Sequence, residues 1–124
     1  MFARELRIPP LQIVKDIVLS YLRALDSGDY ASAGNYLGDN VRIKGPAREA
    51  FRSPDEFLNM MRNQQGNYDL KKVFVDGDDV CVLYDFKTKT VTTFFSSWYQ
   101  VKDGRIVSIQ TVFDPRPFAA AQAT

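Results

Sequence analysis

Four strand-like runs follow one another between Tyr68 and Phe113, and the turns between them constrain the fold more than any other feature of the chain. "YDLKKVFV", "VCVLYDFKT", "TTFFSSWYQV" and "RIVSIQTVF" are rich in β-branched and aromatic residues. Asp76-Gly77 and Asp103-Gly104 supply the residues that tolerate the positive φ of tight hairpin loops. Runs joined so closely pair antiparallel, because a parallel pair needs a long crossover. The second half of the chain therefore predicts an antiparallel meander.

The first half has a different period. Leu11, Val14, Ile17, Val18, Tyr21, Leu22 and Leu25 recur at three and four residues, which predicts an amphipathic helix from Pro10 to Leu25. Pro9 and Pro10 suit its first turn, and Gly28 suits its stop. Asp29 can cap a second, shorter helix in "YASAGNYL", which Gly34 weakens. "NVRIKGP" alternates and then breaks at Gly45-Pro46, as a short strand does. Ser53, Pro54 and Glu56 take the N-cap, first-turn and N3 places of a capping box, and Phe57, Leu58 and Met61 give this third helix a buried stripe. Helix, helix, strand, helix and meander make an α+β domain over residues 1–124, with a core at about 10–118 and loose ends at 1–8 and 119–124.

Sixteen basic and 15 acidic side chains leave a net charge of +1, so no field of one sign draws the chain to nucleic acid or anionic lipid. The opening "MFARELRIPP" lacks a signal peptide's apolar region, and no run approaches the ~18 apolar residues of a spanning helix. A cytoplasmic protein with neither a membrane nor a nucleic-acid partner is expected. Cys81 is the one cysteine and lies in an apolar run, which suits a buried, inert thiol. Histidine is absent, which removes Ser-His-Asp and Cys-His systems in their usual form and the commonest zinc ligand. "DGDD" at 76–79 lacks the spaced ligands of a calcium loop, and a hairpin turn explains it. Neither a metal nor a cofactor is called for.

A two-residue loop at Asp103-Gly104 pairs Lys102 with Arg105 and sorts the flanking strands into two faces. One carries Phe95, Ser97, Tyr99 and Val101 opposite Ile106, Ser108, Gln110, Val112 and Asp114. The other carries Phe94, Ser96, Trp98 and Gln100 opposite Val107, Ile109, Thr111 and Phe113. Both faces hold large apolar groups, and the helices of so small a domain cover only one. The second face, with Phe94, Trp98, Ile109 and Phe113, predicts a homodimer, with a loop or the tail folded over it as the alternative. The first mixes polar with apolar groups and predicts a pocket. A slip or bulge would exchange the two.

In this order, "GDNVRIKGP", "SPDEFLNMM", "WYQVKDGRI" and "VFDP" resemble the SnoaL-like branch of the nuclear transport factor 2-like (ketosteroid isomerase-like) superfamily, over roughly Leu11 to Phe118. The resemblance implies a cystatin-like cone: three N-terminal helices packed on a strongly curved, mostly antiparallel sheet that encloses an apolar pocket, often in a sheet-to-sheet homodimer. It also implies a choice of chemistries, since the superfamily includes isomerases, cyclases, dehydratases and binding domains. The ketosteroid isomerase base would fall at Gly45, so that mechanism is not supported. Asp114 resembles the acid-base aspartate of the SnoaL cyclases in place.

Asp114 is thus the candidate catalytic acid-base, its pKa raised by an apolar cavity, or else a strand-end carboxylate paired with Arg116. Lys44 is a candidate at the pocket mouth, or a solvated edge lysine. Tyr99 is a candidate donor to a substrate carbonyl, as is Tyr84 if it faces inward; Asp85 would take the inside instead if the parity were opposite. Phe95, Ser97, Gln110 and Val112 complete the ligand-binding set, and of the Met60-Met61 pair one member sits near the cavity. Two functions remain open. One is a cofactor-independent isomerase, cyclase or dehydratase acting beside a carbonyl on a small apolar substrate. The other is a non-catalytic module for binding small ligands or for dimerisation.

Overall fold

The structure, a computed structural model, describes residues 10–46 and 53–123; the end expected to be loose at 1–8 lies outside them. Helix α1 (Pro10–Asp26) buries the predicted stripe of Val14, Val18, Tyr21, Leu22 and Leu25. It stops where Gly28 takes φ 79. Asp29 then accepts the Ser32 N–H at 3.1 Å and caps α2 (Tyr30–Asn35), from which the chain passes into β1 (Leu37–Lys44). Ser53 Oγ accepts the Glu56 N–H at 3.2 Å and starts α3 (Pro54–Gln64), which buries Leu58 and Met61.

The meander follows as β2 (Asn67–Asp76), β3 (Asp79–Lys87), β4 (Thr92–Lys102) and β5 (Arg105–Val112). With β1 they make one five-stranded sheet in the order β1-β5-β4-β3-β2, antiparallel except where β1 runs parallel to β5. The β4–β5 loop is Asp103-Gly104, with φ of 52 and 78, and Lys102 pairs with Arg105 as expected. α1 and α3 cover one face of the curved sheet, and the core lies between.

The pairing changes one step after the turn. Val101 pairs with Ile106, but Gln100 pairs with Ser108, so Val107 is an extra residue on β5. Side chains alternate with a period of two, so one inserted residue sends every later β5 side chain to the opposite face. The face expectations for β5 are therefore corrected. Ile109 is buried and Phe113 half-buried on the helix-covered side, where the sequence placed them on the outer face. Gln110 and Val112, expected in the pocket, point outward, and Val112 is 61% exposed. β4 keeps its expected faces, with Phe95, Ser97 and Tyr99 inside and Phe94 and Trp98 outside.

The chain end also differs from expectation. Instead of fraying after Phe118, it forms a fourth helix, α4 (Arg116–Ala123). Phe118 stands edge-on to Phe113 and Phe95, with ring planes at 85° and 82°. This contact draws the tail across the open end of the sheet.

Candidate functional site

Between α1, α3, α4 and the inner face of the sheet lies a cavity of about 340 Å³. That falls within the ~300–1,000 Å³ of small-molecule sites. Its walls are apolar because each bordering element turns its buried stripe inward: Leu22 and Leu25 from α1, Met60 and Met61 from α3, and Ile43 and Ile109 from β1 and β5. The β4 and β5 ends add Phe95 and Phe113, stacked at 4.1 Å with their planes 5° apart. Lys44, Pro46 and Ala119 border the cavity and are themselves exposed, which marks its mouth.

The polar groups of the interior are almost all hydroxyls. Tyr21, Tyr68, Tyr84 and Tyr99 line the cavity from four different elements, and Thr111 joins them from β5. Tyr84 and Ser97 hydroxyls are 2.8 Å apart, and Ser97 Oγ is 2.9 Å from Thr111 Oγ1, so a hydroxyl chain crosses β3, β4 and β5. Ser97 is fully buried and serves as its middle link. Burial pushes the Tyr84 phenol up to about 12, although its bond to Ser97 acts the other way. Burial also drives Tyr21, Tyr68 and Tyr99 well above the usual range, and the neighbouring phenols add to the shift. Near neutral pH all four are uncharged hydrogen-bond donors, unable to act as bases.

Of the residues singled out from sequence, Tyr84, Phe95, Tyr99 and Lys44 border the cavity, the last as an exposed side chain at its mouth. Ser97 lies behind the wall and acts through Tyr84 and Thr111. Gln110 and Val112 are on the other side of the sheet. Asp85 faces outward with Phe94, so strand parity gives the interior to Tyr84. Asp114 does not border the cavity. Arg116 holds it by its guanidinium at 2.7 and 2.9 Å and by its backbone N–H at 3.0 Å. Those bonds bring its carboxyl down to about 2, the opposite of the raised value expected of an acid-base group in an apolar pocket. The carboxylate instead ties off the first turn of α4.

Sequence reasoning missed Tyr21, Tyr68, Thr111 and Phe118 as site residues. Tyr21 was hidden in the apolar stripe of a helix, and Thr111 was hidden by the bulge at Val107. Among the described residues lining the cavity there is no Asp, Glu or Cys, and no group of three such side chains or histidines is placed to hold a metal ion.

Known proteins of similar sequence and structure agree with this architecture. A family model described as the SnoaL-like domain matches residues 18–109, well over half of the chain. A solved NTF2-like protein of unknown function from Cytophaga hutchinsonii is 31% identical, with a TM-score of 0.78 over 86% of this chain and 94% of that one. The fold alone is shared with an LEH-like epoxide hydrolase from M. tuberculosis, at 20% identity and a TM-score of 0.72 over 93% of this chain and 98% of that one. It is shared too with a cystatin-fold protein from Novosphingobium aromaticivorans, at 9% identity and a TM-score of 0.72 over 79% of this chain and 96% of that one. No curated protein matches the sequence. With its family match, its relative at 31% identity and its helix-covered curved sheet, the chain belongs to the SnoaL-like domain family.

Proposed function

We propose that this protein is a small-molecule binding domain whose cavity takes an apolar ligand and does no carboxylate-dependent chemistry. One observation carries the reading: an apolar cavity of about 340 Å³ whose inner polar groups are neutral hydroxyls, with no carboxylate among its described lining residues. An isomerase, cyclase or dehydratase needs a group on the cavity wall that can exchange a proton at neutral pH. Asp114 faces elsewhere, ion-paired with Arg116. Lys44 is exposed at the mouth, where it meets the polar end of a ligand.

The outer sheet face supports a homodimer as part of the same reading. Phe74, Phe94, Trp98 and Val112 stand out from it at 46 to 61% exposure, a cluster of the kind that monomers seldom leave in water. Ile109 and Phe113, which sequence placed on that face, take no part. Binding and assembly use opposite faces, so they can be tested separately. Met60→Trp should fill the cavity and abolish binding of a neutral apolar fluorophore such as Nile red while the sedimentation mass stays that of two chains. Trp98→Glu should halve the mass and keep the fluorophore bound. Unchanged binding in Met60→Trp would place the fluorophore outside the cavity and remove the reading.

A further inference from the structure

The hydroxyls around the cavity can be counted proton by proton. Tyr84, Ser97 and Thr111 contribute three hydroxyl protons, and the two links at 2.8 and 2.9 Å use two of them. One donor is left, at whichever end the chain points outward, and both end residues border the cavity. Tyr21 adds another. Its residue is 1% exposed, it borders the cavity, and its hydroxyl is buried with no hydrogen-bond partner among the described residues. A buried hydroxyl without a partner costs stability, and an acceptor atom placed against it recovers that cost.

The surroundings set the charge of such an acceptor. Beside Tyr21 stand the other phenols and the aliphatic wall, while Lys44, the one cationic side chain bordering the cavity among the described residues, is exposed at the mouth. A carboxylate carried to this depth would lose its hydration and meet no cation, a loss that hydroxyls alone do not repay. A neutral oxygen loses far less. A ligand with donors only would leave the Tyr21 proton unpaired.

We propose that the cavity selects a neutral, largely apolar molecule with one acceptor oxygen, a ketone or ester carbonyl, and that the Tyr21 hydroxyl sets this preference by donating to that oxygen. The Tyr84–Ser97–Thr111 chain supplies the second donor from the sheet side. The inference rests on the cavity being a ligand site, and the test separates the two.

Three probes with one carbon frame serve: α-tetralone, tetralin and tetralin carboxylate, titrated by ligand-observed NMR against the full chain and its Tyr21→Phe variant. The ketone should bind the wild type about tenfold tighter than the hydrocarbon, the effect of a good neutral hydrogen bond. Tyr21→Phe should remove most of that difference, leave tetralin binding as it was, and melt no lower than wild type, since the deleted hydroxyl has no partner. The carboxylate should not bind. An undiminished ketone preference in the variant, or a carboxylate that binds wild type as tightly as the ketone, overturns the proposal while the cavity remains a ligand site. If neither tetralin nor the ketone binds, the ligand-site reading falls, and this inference with it.

Discussion

Asp114 and Tyr84 are both weak acids, and their surroundings drive them in opposite directions. Arg116 holds the first in its charged form, and burial holds the second in its neutral form. A phenol whose pKa is raised by folding contributes stability that is complete below its unfolded value of about 10 and is lost as pH rises through its folded value. For Tyr84 that window closes at about 12, and Tyr21, Tyr68 and Tyr99 shift in the same direction. In an alkaline titration, the phenolate absorbance of these four should appear together with the loss of far-ultraviolet circular dichroism. Ionisation at about pH 10 with the fold intact would contradict their burial. Tyr84 and Tyr99 were legible as inward candidates because strand alternation fixes them. Asp114 was ambiguous because a carboxylate before proline suits a turn as well as a cavity, and only the position of Arg116 decides between them.

The elements were legible wherever the local rule was strong. The α1 stripe, the Ser53 and Asp29 caps and the Asp103-Gly104 turn all stand where their residue types predict. The bulge at Val107 was not legible, because nothing in "RIVSIQTVF" marks which residue the pairing skips; packing of Ile109 against the helices sets the register instead. Two substitutions read this register. Ile109→Ala should destabilise the fold by about 2–5 kcal/mol, as a large-to-small change in a core does, and Val112→Ala by no more than about 0.5 kcal/mol, as at a surface. Denaturant unfolding measures both, and the reverse order would restore the unbulged hairpin. The same uncertainty explains why Thr111 and Phe113 were misplaced: one inserted residue decides the face of everything after it.

At the scale of the molecule, the sheet divides two surfaces that the sequence could only show to exist. Its inner side joins the helices around the cavity, and its outer side offers Phe74, Phe94, Trp98 and Val112. The two-sided pattern was readable because both faces of β4 are apolar. The membership of each face had to wait for the register of β5, and the closing of the cavity by α4 depended on a tail whose alanines carry little pattern. The account's central claim is that a small apolar molecule occupies the space between α1, α3 and the inner sheet. Intermolecular nuclear Overhauser effects from bound α-tetralone measure this most directly. Contacts to the methyl groups of Ile43, Met60 and Ile109 are predicted, and contacts confined to Val112 on the outer face, or none at all, would contradict it.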